Sequence, residues 1–176
     1  MAVLLFFSLL MLSACQPTMS KPTFYAMGSD ESLRIDIDSK SGFFQNGENP
    51  FKVSKGGKTY LNGAFAPGDT LEFYANYADT DDAVTLIERA EKDGHKYIFF
   101  KTELLELDVG LSESDILGSL MGNDAAKESD DPAEITEYSF MVKIADKDVC
   151  VVMSSILSEE MAKEAFDAMT FSVVSN

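Results

Sequence analysis

The sequence predicts an α+β fold: an antiparallel meander sheet with one or two amphipathic helices packed on one face. Three observations carry that expectation. Short runs alternate apolar and polar residues with a period of two. Tight turns rich in Gly, Asn, Asp and Pro separate the runs, which makes consecutive strands antiparallel neighbours. Two later segments change to helical spacing, and their apolar stripes need a sheet face to cover.

In chain order, Leu33, Ile35 and Ile37 alternate with Arg34, Asp36 and Asp38, the pattern of a half-buried strand. Asn46-Gly47 is a hairpin turn signal. Phe51 to Ser54 is a short strand, and Gly56-Gly57 turns the chain into a strand over Lys58 to Phe65. Pro67-Gly68-Asp69 turns it again, and Leu71, Phe73, Ala75 and Tyr77 then share one face of a further strand. From Asp82 to Asp93 two patterns compete. Ala83, Leu86, Ile87 and Ala90 fit a helical stripe, whereas Val84 to Ile87 is β-friendly and Asp93-Gly94 is a hairpin signal before Tyr97 to Phe100. The hairpin is favoured. Ser112 and Asp115 have capping-box spacing ahead of Ile116, Leu117, Leu120 and Met121, with Gly122-Asn123 as the stop. Tyr138, Phe140, Val142 and Ile144 alternate as a strand that turns at Ala145 to Asp148 into Val149 to Met153. The last helix begins after Ser158. Glu159 and Glu160 complement its dipole, and Met161, Ala162, Ala165, Phe166 and Met169 form its stripe. Phe171 and Val173 extend the chain into a final short strand.

The first fourteen residues stand apart. An apolar run from Val3 to Leu12 leads into small residues and stops at Cys15. A transmembrane helix needs about 20 apolar residues, so the run is too short to span and reads as an export signal. Leu12-Ser13-Ala14-Cys15 resembles the lipobox of bacterial lipoproteins. The resemblance implies cleavage before Cys15, diacylglycerol on its thiol and acylation of the new amine. Residues 1–14 are then a signal peptide, 15–22 a lipidated tether and 23–176 a single globular domain. Buried acyl methylenes contribute about 0.8 kcal/mol each, and two chains hold where one does not. In that family an Asp after the cysteine retains the protein at the inner membrane. Gln16 stands there instead, which favours the outer membrane where the host has two. No Lys or Arg precedes the apolar run, a departure from the usual signal. The strand pair, helix and Phe-containing end of the chain resemble the PsbP-like lipoprotein and photosystem accessory domains over about forty residues. That likeness carries no site residues.

With 45% apolar residues the chain is globular, and its net charge of -16 repels nucleic acid and anionic headgroups. Nucleic acid is excluded as a partner, and membrane attachment rests on the lipid. A cationic protein or small ligand is the partner that the charge favours. Eleven of the acids lie between Glu103 and Glu137, against Lys127 alone. A solvated face explains them better than a docking surface or a weak cation site.

No catalytic constellation or cofactor motif emerges. Cys150 lies in an apolar run and reads as a small buried hydrophobe. His95, the single histidine, follows the Asp93-Gly94 turn and reads as an exposed polar residue. One histidine and one unlipidated cysteine make no zinc site. Asp36 to Gly47 fails the helix-loop-helix calcium pattern at Lys40, Ser41 and Gly47. Asp79, Asp81 and Asp82 are the weak candidates for a cation in a turn, although turn-forming or capping roles explain them better. Gly110 to Ser114 lacks the second glycine of a nucleophile elbow, and Gly56-Gly57 lacks a phosphate-binding motif. Tyr74, Tyr77, Tyr97, Phe99 and Phe100 fall on neighbouring predicted strands, as core pairs or as a stacking platform. The expected function is a membrane-anchored, non-enzymatic binding or interaction module of the cell envelope. The alternatives are an envelope hydrolase using a carboxylate pair, or a structural or assembly accessory protein.

Overall fold

Alternation in this chain builds two antiparallel sheets rather than one. The computed structural model describes residues 20–104 and 135–175. Ten strands and two helices follow in order: β1 (Thr23–Ala26), β2 (Glu31–Ile37), β3 (Phe44–Gly47), β4 (Phe51–Lys55), β5 (Lys58–Ala66), α1 (Thr70–Ala78), β6 (Val84–Lys92), β7 (His95–Leu104), β8 (Ile135–Lys143), β9 (Cys150–Ser155), α2 (Glu159–Asp167) and β10 (Met169–Ser175). The large sheet has the order β3-β4-β5-β9-β8-β7-β6 and the small one β1-β2-β10. Every pairing is antiparallel.

The predicted meander survives as two pieces, β3-β4-β5 and β6-β7-β8-β9. They join because β5 pairs with β9, with Gly63 opposite Met153. The hairpin over 82–93 is present: Asp93 and Gly94 take the positive φ values, 54° and 79°, that a two-residue turn requires. The Asn46-Gly47 turn is corrected. Both residues belong to β3, and the chain reverses at Glu48 to Pro50 through a cis Asn49-Pro50 bond. The predicted helix over 112–121 lies outside the described residues.

The strand predicted over 71–77 is also corrected, because the segment is helical. Leu71, Phe73, Ala75 and Tyr77 fit a period of two, but Leu71, Tyr74, Ala75 and Ala78 sit at i, i+3, i+4 and i+7 and make the face that packs. The entry turn decides for the helix. The Phe73 N–H donates to the Asp69 carbonyl at 3.0 Å, and the Gly68 N–H donates to Asp148 Oδ1 at 3.0 Å. A Cβ on Gly68 would stand 3.0 Å from the Asp148 Cα and 2.8 Å from its Oδ1, a close approach that favours glycine in this turn.

The helices cover opposite faces of the large sheet rather than one face. The cause is legible in the apolar runs Tyr97 to Phe100, Phe140 to Val142 and Cys150 to Met153, which carry buried apolar residues on both faces. Tyr97, Phe99, Phe140, Val142, Val151 and Met153 face α2 and the small sheet. There Phe99 stacks on Phe140 at 4.1 Å and Phe140 on Phe166 of α2 at 4.2 Å. Ile98, Phe100, Met141 and Cys150 face α1. Helix α2 begins after Ser158 as predicted, with the Ser158 Oγ accepting from the Met161 N–H at 3.4 Å, but Met169, read into its stripe, opens β10 instead because the helix ends at Asp167. Beside it Lys163 pairs with Glu88, which also accepts from the Tyr97 hydroxyl at 2.7 Å.

Candidate functional site

Helix α1 carries aromatic rings on its exposed side as well as an apolar stripe on its packed side. Its inner stripe packs on β6, β7 and β8, and Tyr74 lies nearly parallel to Phe100 at 5.7 Å. Its outer side carries Phe73, 66% exposed, and Tyr77, 41% exposed. The two rings lie 6.5 Å apart with planes 5° from parallel. Tyr74 stands almost perpendicular to both, 5.4 Å from Phe73 and 6.5 Å from Tyr77. Spacing at i, i+4 for Phe73 and Tyr77, and i, i+3 for Tyr74 and Tyr77, brings the three rings together on this part of the helix.

Carboxylates precede and follow these aromatic residues in the chain. Glu72 is in the first turn of α1, and the helix carries no basic residue in its last turn. After it come Asp79, Asp81 and Asp82. Asp79 pairs with Arg89 at 2.9 Å, and the same Arg89 nitrogen reaches the Ala75 carbonyl at 3.4 Å. The Asp81 carboxylate accepts from the Tyr77 hydroxyl and, at 2.9 Å, from the Ala83 N–H. These bonds, the one from Tyr77 first, hold Asp81 below the usual carboxylate range, and the same bond holds the Tyr77 hydroxyl above its ordinary value. Oxygens of two of the three aspartates weighed for a cation are therefore taken up by protein partners. Among the described residues no group of three or more His, Cys, Asp or Glu could hold a metal ion.

A concave region lies elsewhere, on the large sheet. Across five strands Asn46, Lys52, Asn62, Ser154 and Ser139 stand opposite one another in a single row, which continues into Phe100 under α1. A groove of about 390 Å³ opens at this row, with Tyr60, Asn62, Glu137, Ser154 and Leu157 in its walls. A polar row on the open half of a half-covered antiparallel sheet is what solvation alone requires.

The remaining sequence candidates disperse. His95 is buried, contrary to its reading as an exposed turn residue, because the turn at Asp93 docks against β10 with Asp93 Oδ2 accepting from the Phe171 N–H at 2.9 Å. Cys150 is fully buried, and burial pushes its thiol up to about 12, with Lys143 opposing and Glu72 adding. Asp36 pairs with Arg34 at 2.7 Å, and Asp38 accepts from the Lys40 N–H at 2.9 Å, so this segment is a strand and turn. Tyr97 and Phe99 lie on the face away from Tyr74, Tyr77 and Phe100. Glu103 of the acidic stretch pairs with Lys101 at 3.2 Å; Cys15, Ser112 and residues 105–134 lie outside the described residues. The two carboxylates held away from their ordinary values among the described residues, Asp81 and Glu88, are both lowered, the direction opposite to that of a general acid. No family model matches the chain, and no curated protein matches it either.

Proposed function

We propose that this chain is a non-enzymatic binding module of a bacterial cell envelope, exported and tethered by lipid on Cys15, and that it meets its partner through the outer face of α1. The tether rests on the Leu12-Ser13-Ala14-Cys15 pattern. The observation that carries the binding reading is Phe73, a phenyl ring 66% exposed and flanked by Tyr77 and Tyr74. Fully burying such a ring against another surface stabilises by about 2 kcal/mol, which makes an exposed aromatic cluster a natural contact point.

The test joins two measurements on the protein in its own cells. Mass spectrometry of the native chain should find a mature N-terminus at an acylated Cys15; an unmodified leader overturns the tether. A photo-crosslinking residue at position 73 should give a discrete adduct that the same residue at exposed position 52 does not. Equal or absent adducts at both positions overturn the α1 interface.

A further inference from the structure

The chemistry around the α1 corner is selective for charge as well as for apolar surface. Two parallel rings, Phe73 and Tyr77, stand 6.5 Å apart there, with Tyr74 nearly perpendicular to both and stacked on Phe100. A cation within about 6 Å of a ring centroid is attracted by its quadrupole, and a position at this corner lies in range of more than one ring. The Tyr77 hydroxyl interacts with the Asp81 carboxylate, which places a negative charge beside that ring. The C-terminal end of α1 presents the negative pole of its dipole, which Arg89 offsets in part by reaching the Ala75 carbonyl at 3.4 Å. Asp81 stands beside Tyr77, while Asp79 is paired with Arg89, whose guanidinium also reaches the Ala75 carbonyl.

We infer that the Phe73, Tyr74 and Tyr77 corner of α1 receives the guanidinium of an arginine presented by a basic protein segment. This rests on reading α1 as the binding face. Arginine fits better than lysine because its planar group stacks on aromatic faces and sheds water more readily than an ammonium. Charge argues against the rival occupant within the chain itself: residues 105–134 hold nine carboxylates and one lysine, the same sign as the aspartates at the corner.

The experiment titrates the chain from residue 16 onward with a peptide of alternating Arg and Gly, and with its Lys counterpart, at 0.15 M salt, followed by backbone NMR. Saturable shifts centred on residues 70–83 are expected, with the Arg peptide binding more tightly than the Lys peptide. Phe73→Ala and Tyr77→Ala should each weaken the Arg peptide by about two- to fivefold, the range of an exposed cation–π contact. Tyr77→Phe, which keeps the ring and loses the Asp81 bond, should weaken it less than Tyr77→Ala. Phe73 is exposed, so its replacement leaves the core intact, and unchanged spectra away from α1 verify this. Three results overturn the inference: equal affinity of both peptides, shifts confined to residues 105–134, or ring contacts from those residues to Phe73 in the free protein. Adducts at position 73 in cells without arginine-peptide binding would remove the cationic partner and leave the α1 interface standing; loss of both would remove both.

Discussion

His95 shows how one buried atom sets a pH response. Its Nδ1 accepts from the Ala145 N–H at 3.1 Å, so a proton there would face another donor. Burial pulls the imidazole below its ordinary value of 6.5, and Asp93 opposes the shift only in part. Between the lowered value in the fold and the ordinary value, the unfolded chain binds more protons than the native one. Stability that is complete above about 6.5 therefore falls as pH drops through the folded value. Urea unfolding at pH 7.5 and pH 5 should show this slope, and His95→Asn, which keeps an acceptor but does not titrate, should lack the histidine part of it. An unchanged difference between the two pH values would refute the assignment. Cys150 tests burial in a second way. A thiol pushed up to about 12 and closed to solvent should react with a thiol reagent only after unfolding. Labelling of the folded chain at pH 8 as fast as in denaturant would contradict its position under α1.

At the scale of elements, Gly63 in the middle of β5 explains how β4 and β5 fit. The Phe51 ring lies across it, and a Cβ at Gly63 would stand 2.2 Å from that ring. Phe51 is fully buried and has no room to swing away. Gly63→Ala should therefore destabilise by about 1–3 kcal/mol, the cost of overpacking, measured as a drop in the urea midpoint with unchanged slope. A neutral result would mean that the core can open at this point. The sequence foretold the elements whose periodicity was unopposed: Leu33, Ile35 and Ile37 in β2, the Asp93-Gly94 hairpin, and α2 with its Ser158 cap. It misled where one residue set satisfied two periods. Leu71 and Ala75 belong to both the two-residue and the helical pattern, and the choice fell to Gly68 and Asp148, partners 80 residues apart. The candidate site was half legible for the same reason. Tyr74 and Tyr77 were singled out, but only helical geometry unites them with Phe73. Phe99 and Phe100, neighbours in sequence, part to opposite faces.

For the whole molecule the dominant quantity is charge. At -16, native compactness works against self-repulsion, which salt screens over about 10 Å at 0.1 M. Tm should rise as NaCl is raised from about 0.01 M to 0.3 M, a range over which screening tightens steeply. A flat or falling Tm would mean that ion pairs such as Arg89–Asp79 outweigh the repulsion. Chain order matters at this scale as well. β2, among the first strands, takes its second neighbour from β10, with Leu33 opposite Val173 and Glu31 opposite Ser175. Such a pairing has high contact order and cannot form until residue 175 has been synthesised. The small sheet remains a lone two-stranded ribbon until then, too weak to persist in water. The register that closes the small sheet is therefore the last to become available, and a chain that lacks the seven residues of β10 should leave β1 and β2 without their partner.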